Sequence, residues 1–156
     1  MSDRPIFVPP GSTADVEEGR VFSPKFDAGG LITCVIVDAR TNELLMVAHM
    51  NAVALARTIE TGDAWFYSRS RGTLWRKGES SGHVQRVIEI RVDCDQDALL
   101  LRVEQRGEGA CHTGRRSCFY RSLNLAQPAD GPISLTFVDA DKVFDPDKVY
   151  GRPMKR

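Results

Sequence analysis

Leu31-ITCVIVDARTNELLMVAHMNAVALARTIET-Gly62 sets the fold class, because it contains two kinds of periodicity within one short stretch. LITCVIVD and LLMVAHM are short apolar runs separated by the polar ARTNE, the pattern of a β-hairpin. Asn51 then stands before AVALARTIET and Gly62 after it, an N-capping side chain and a C-terminal glycine bracketing about three turns of helix. Cys34 falls inside the first apolar run with no polar neighbour, so it reads as a small buried hydrophobe. His49, closing the second run beside the cap, reads as a structural, hydrogen-bonded histidine.

Outward from that unit the chain becomes strand-rich. AWFYSRS, HVQRVIEIRV, ALLLRVEQ and ISLTFVD are β-branched, aromatic or alternating, with Gly- and Ser-bearing turns between them. The expectation is a β-rich α+β domain with one main helix. Residues 1–20 mix Pro, Gly, Ser and charge without a period and read as a flexible N-terminal arm. Residues 21–138 form the single domain, and 139–156 a C-terminal tail. At 156 residues the chain is the size of one ordinary domain.

The 21 Lys and Arg balance 21 Asp and Glu, so an anionic ligand must be met by a local cluster rather than a global field. No global field thus argues for a nucleic-acid or membrane partner, and neither is expected. No run approaches the ~18 apolar residues of a membrane span, and the N-terminal MSDRP lacks a basic-then-apolar leader. A cytoplasmic protein is expected. Its four cysteines are then better read as ligands, a nucleophile or core thiols than as disulfides.

In HVQRVIEIRVD, Ile88, Ile90 and Val92 share one strand face while Glu89, Arg91 and Asp93 share the other. Cys94 follows the apolar parity. The apolar set becomes Leu99, Leu101 and Val103 after the cluster, so the chain must turn or bulge between about Asp95 and Ala98. Asp93, Asp95 and Asp97 form a repelling, oxygen-rich group suited to a divalent cation, or else a solvated acidic turn. An EF-hand is rejected, since Ala98 occupies the position that requires glycine.

Cys94, Cys111 and Cys118 contain no Cys-x-x-Cys pair. Three protein ligands would leave a zinc open to water, while the spacing alone equally allows core thiols. His112 is adjacent to Cys111, which favours a general-base or substrate-contacting role over ligation. Between Tyr67 and Arg86, YSRSRGTLWRKGESSGHVQR places Arg69, Arg71, Arg76 and Lys77 among Ser68 and other hydroxyl and glycine positions. This is either a phosphate-binding field or a solvated hairpin face. Trp75 can stack on a base, Arg115 and Arg116 form a second basic pair, and His83 contacts ligand or solvent.

LLMVAHMN, YSRSRGTLWRKGESSGHVQ, RVDCDQDALLLRVEQ and ACHTGRRSCFYR together resemble, in order, the signatures of the phosphoribosyl-AMP cyclohydrolase family. The resemblance spans about residues 31–121. It implies Zn²⁺ on Cys94, Cys111 and Cys118, and Mg²⁺ on Asp93, Asp95 and Asp97. It also implies an intertwined homodimer with active sites between subunits, each drawing its zinc cysteines from both chains. The expected architecture is then a mixed or antiparallel sheet or pseudo-barrel.

The implied reaction is hydrolytic opening of the N1–C6 bond of phosphoribosyl-AMP in histidine biosynthesis by zinc-activated water, with His112 shuttling the proton. Ser68, Arg69, Arg71, Trp75, Arg76, Lys77, Arg115 and Arg116 would bind the substrate and its phosphates. The chain length fits the single-function form, without a fused pyrophosphohydrolase domain. The alternative from another class is a non-catalytic, zinc-stabilised β module binding a nucleotide or RNA. A zinc deaminase is disfavoured, because the H-x-E and P-C-x-x-C signatures are absent.

Overall fold

A computed structural model describes residues 7–126 and 130–151. The hairpin pairs β1 (Leu31–Asp38) antiparallel with β2 (Leu44–Asn51), with Ile32 opposite Met50 and Ile36 opposite Met46. Its turn is held by Asp38, whose carboxylate accepts from the backbone N–H groups of Arg40 at 2.8 Å and Thr41 at 3.1 Å. The helix follows where expected: α2 (Ala52–Thr61) begins at Asn51, whose side chain accepts from the Ala54 N–H at 2.8 Å. It ends on Gly62 at φ 76°, a left-handed conformation that glycine adopts without steric cost.

The remaining strands are β3 (Trp65–Ser68), β4 (Thr73–Arg76), β5 (Gln85–Val92), β6 (Ala98–Gln105), β7 (Arg121–Leu123) and β8 (Leu135–Phe137). The main sheet has the order β2-β1-β6-β5, with β1 parallel to β6 and the other pairs antiparallel. The architecture is therefore α+β with a mixed sheet. It does not close: β2 and β5 are edges, so of the two expected forms the open sheet is realised and the pseudo-barrel is not. β3–β4 and β7–β8 form two separate two-stranded sheets.

The core lies on one face of the main sheet. Ile32, Cys34 and Ile36 of β1 alternate inward beside Leu99, Leu101 and Val103 of β6, and all six are buried. Leu45, Met50, Leu55 and Phe66 complete this layer, and Cys34 sits inside it as a small apolar residue, with burial pushing its thiol up to about 12. The apolar parity of β6 matches the sequence reading.

That of β5 does not hold throughout. Its pairing with β6 shifts between Val87 and Glu89, so Ile88 is the extra residue of a bulge and is 60% exposed, whereas Ile90 and Val92 face Leu101 and Leu99 as expected. One inserted residue resets the alternation without changing the composition. Β5 then ends at Val92 and β6 begins at Ala98, so the turn falls on Asp93–Asp97.

Among the described residues, the segments read as an arm and a tail contain ordered elements. Α1 (Thr13–Glu18) starts with a capping box in which the Ser12 side chain and Asp15 bond each other's backbone N–H. Phe7 packs against Phe22 and Phe26, with ring centroids 5.7 and 6.1 Å apart. Toward the C-terminus, buried Phe144 meets the His83 ring edge-on at 4.5 Å, just before α3 (Pro146–Tyr150). Among the described residues, no helix is long and apolar enough to cross a membrane.

Candidate active site

The β5–β6 turn is built around Asp93. Its Oδ1 accepts from the backbone N–H groups of Asp97 at 3.0 Å and Ala98 at 3.1 Å, and Gln96 turns the chain at φ 61°. The ligand atoms of Asp93, Asp95 and Asp97 all lie within 4.8 Å of one another. Burial raises the Asp93 pKa, but the N–H groups of Ala98 and Asp97 and the neighbouring carboxyls outweigh it and hold the group below the usual range. The hydrogen-bonded carboxyls of Asp93 and Asp95 and their charge push Asp97 up to about 6. Such a trio suits a hard cation, which would neutralise its mutual repulsion.

The cysteines divide between the two ends of β6. Cys94 is exposed in the acidic turn before the strand, while Cys111 and Cys118 belong to the segment after it. Eight residues of strand separate the two groups, roughly 25 Å at ~3.3 Å per residue. Among the described residues, only the three aspartates form a trio of potential ligands close enough to share an ion. One chain thus brings together Cys111 and Cys118 but not Cys94.

The Cys111–Cys118 pair is fixed by backbone bonds. Ala110 and Cys111 donate to the carbonyls of Arg116 and Arg115, both at 3.0 Å, and Gly114 turns the loop at φ 95°. Cys118 is pinned to β2 by its N–H to Leu45 O at 2.8 Å, and the Ser117 hydroxyl donates to Leu44 O at 2.7 Å. The Cys118 thiol is placed to hydrogen-bond the Cys111 sulfur, which lowers Cys111 to about 5 and raises Cys118. The Thr113 hydroxyl, 3.0 Å from the Cys111 sulfur, supports the thiolate. A thiolate beside a second thiol is a donor set that fits a soft divalent ion such as zinc.

Lys77 is buried beside this pair, with its Nζ donating to Ala110 O at 2.6 Å. Burial lowers its pKa, while the attraction of Cys118 and Cys111 opposes that shift. Lys77 therefore touches the cysteine loop, which the sequence reading had placed with the phosphate contacts.

Two adjoining cavities surround these groups. One, of about 550 Å³, is lined by Lys77, His112 and Cys118 with Arg71, Trp75 and Arg76. The other, of about 510 Å³, is lined by Ser68, Arg69, Arg71, Trp75, His49 and Tyr67. Arg71 and Trp75 line both, so the cavities form one trough along the β3–β4 hairpin. Its walls unite every predicted residue of the Ser68–Lys77 stretch with His112 and Cys118.

Arg115 and Arg116 are directed elsewhere. Arg116 donates from Nε and Nη2 to Glu43 Oε2 at 3.1 and 3.0 Å, and lies 3.9 Å from Asp38. The Arg115 guanidinium lies 4.1 Å from the Tyr120 ring centroid. His83 is buried against Phe144 and lines neither cavity, with its Nδ1 unpartnered.

Sequence reasoning missed His49, Tyr67 and the Ser80–Ser81 hydroxyls as lining groups. His49 had a detectable signal in its end-of-strand position, where it is half-buried. Burial and the nearby Arg69 charge lower its pKa. The serines ride a tight loop in which Gly78, at φ 88°, passes so close to Val84 that a Cβ would lie 2.5 Å from its backbone nitrogen.

Comparison with known proteins gives a consistent result. A family model described as "Phosphoribosyl-AMP cyclohydrolase" matches residues 46–120. The chain is 63% identical over 138 residues to the phosphoribosyl-AMP cyclohydrolase of Rhodopseudomonas palustris (strain HaA2), covering 88% of this chain and 92% of the relative. It is 64% identical over 139 residues to that of Nitrobacter hamburgensis, covering 89% and 92%. With that of a Bradyrhizobium species the identity is 68% over 129 residues, covering 83% and 97%.

Proposed function

The chain belongs to the phosphoribosyl-AMP cyclohydrolase family, and from that footing we propose how its residues carry out the hydrolytic opening of the purine ring of phosphoribosyl-AMP in histidine biosynthesis. The observation that carries the reading is the trough itself, whose walls bring the Cys118 thiol, partner of Cys111, and the His112 imidazole together with Arg69, Arg71 and Arg76. The bond opened is N1–C6. Water adds at C6, the C6–N1 bond breaks, and the water's proton passes to N1, leaving a formimino carboxamide.

Cys111 and Cys118 would hold zinc, with Cys94 contributed by a second copy of the chain. At that position the ion would supply Lewis acidity and make water a better nucleophile near neutral pH. Asp93, Asp95 and Asp97 would hold magnesium. The remaining chemistry belongs to this chain's side chains. His112 takes the proton from the attacking water and returns it at N1. Arg69, Arg71 and Arg76 meet the phosphates as bidentate donors, the Ser68 hydroxyl assists, and Trp75 offers a stacking face to the base.

The position of Cys94 at the far end of β6 from Cys111 and Cys118 supports a homodimer that shares its sites between chains. Edge strand β5 is suited to an interface because it leaves Ile88 60% and Val92 43% exposed next to the acidic turn. Reduced thiol ligands, as the reading requires, support a reducing compartment such as the cytoplasm.

Purified protein mixed with phosphoribosyl-AMP should show ring opening by ultraviolet absorbance, and a zinc chelator should stop it while the circular dichroism spectrum stays folded. Loss of the fold on chelation would instead assign zinc a structural role. His112→Ala should keep its zinc and lose ~10²–10⁴-fold in kcat, the usual contribution of a positioned acid–base group. An unchanged pH–rate profile in that variant would move proton transfer to another residue.

A further inference from the structure

Gln96 lies between Asp95 and Asp97, yet it faces the opposite way. Asp97 is exposed and Asp95 half-buried, while Gln96 is 5% exposed. Its side chain does not approach the carboxylates. It reaches instead into the N-terminal segment, where Oε1 accepts from the Ser23 N–H at 2.8 Å and Nε2 donates to Val16 O at 3.0 Å and Val21 O at 3.4 Å. The backbone continues the connection, because the Lys25 N–H donates to Gln96 O at 2.8 Å and the Gln96 N–H closes the turn on Asp93 O at 3.2 Å.

Each polar group of this residue is thus engaged, four contacts going to residues more than 70 positions away in sequence and one to the turn itself. These partners are scarce for a buried amide, and leaving one unsatisfied is costly. The segment that Gln96 grips is also held from outside by the Phe7, Phe22 and Phe26 ring cluster. Between segment and turn lies a cavity of about 370 Å³ lined by Val16, Arg20, Phe22, Asp93, Cys94 and Gln96 among others. The N-terminal residues therefore form one wall of the space into which Cys94 opens.

We propose that Gln96 is a positioning residue for the reaction, bolting the Val16–Lys25 segment beneath the turn so that Asp93, Cys94, Asp95 and Asp97 keep their working arrangement. Three mutually repelling carboxylates on a short turn need an external brace, because no regular secondary structure fixes them. The inference rests on the reading that these four side chains serve the active site. It adds that a part of the chain outside the residues matched by the family model, 46–120, governs their geometry.

Gln96→Asn separates the brace from the turn. Asparagine tolerates the left-handed φ, but its amide is one methylene too short to reach Ser23 and Val16. Phe7→Ala loosens the same segment from its far side without touching the turn. For both variants of the full chain, four quantities decide the matter: kcat/KM, Mn²⁺ affinity by electron paramagnetic resonance, the rate of tryptic cleavage after exposed Arg20, and Tm.

In Gln96→Asn, cleavage should accelerate, Mn²⁺ should bind at least ten-fold more weakly, and kcat/KM should fall at least ten-fold, with Tm lowered by the lost buried hydrogen bonds but the protein still folded at the assay temperature. Phe7→Ala should show the same signs at smaller size, and it decides alone if Gln96→Asn fails to fold. Faster cleavage with wild-type turnover and Mn²⁺ binding would overturn the proposal, as would lost turnover with cleavage unchanged. Wild-type protein that binds no Mn²⁺ would sink the carboxylate metal site, and the brace would then stand or fall on cleavage and kcat/KM together.

Discussion

Subunits carrying Cys94→Ala, combined with subunits carrying Cys118→Ala, are expected to recover activity that neither variant has alone. The reason is the placement of the thiols at opposite ends of β6, which prevents one chain from assembling all three. If each site takes Cys94 from one copy and Cys111 with Cys118 from the other, a mixed dimer has one site lacking two cysteines and one site complete. Random pairing makes about half of the dimers mixed, so recovery should approach about a quarter of wild-type activity for a closed two-fold dimer. Co-expression with two different tags isolates the mixed species, and turnover is measured on it directly. Mixed dimers as inactive as the parents would refute a site shared between chains.

Cys111→Ala should abolish turnover, by more than ~10³-fold if the lost ligand removes the metal chemistry altogether. Bound zinc should fall with it. The fold should survive, because the loop is held by backbone bonds from Ala110, Cys111 and Gly114 that an alanine retains, and by Ser117 and Cys118 on β2. The side-chain loss removes the contact with Thr113 and the interactions with Cys118 and Lys77. Zinc content by atomic absorption, Tm and activity should be read on one preparation. Full activity without metal would end the zinc proposal, whereas a collapse of Tm would make Cys111 a structural residue.

The parts of the molecule governed by local periodicity were legible in the sequence. The β1–β2 hairpin, α2 between Asn51 and Gly62, the burial of Cys34 and the inward set Leu99, Leu101 and Val103 all follow from side-chain alternation or capping. The turn after β5 was legible for the same reason, since the apolar parity had to change. The bulge at Ile88 was hidden because the residue is as apolar as its neighbours.

The site was legible in residue type and less so in geometry. Ser68 to Lys77 do line one trough with His112 and Cys118, but nothing in the sequence shows that Arg116 is engaged by Glu43, 73 positions away. The grip of Gln96 on Ser23 and Val16 spans a similar separation and leaves no local pattern. An aperiodic N-terminal stretch therefore read as an arm although its backbone carbonyls serve as docking points.

Strand β6 acts as a ruler between the two candidate ligand groups, with the acidic turn at one end and the thiol loop at the other. Its interior positions are open to exchange among aliphatic residues of similar volume. Its length is not. Removing or adding one residue would turn Leu99, Leu101 and Val103 against the pleat and change the span between Cys94 and Cys111 by one strand step. Sequence drift in this lineage should then proceed through β6 by replacement alone, with insertions and deletions accumulating in the loops and at the chain ends.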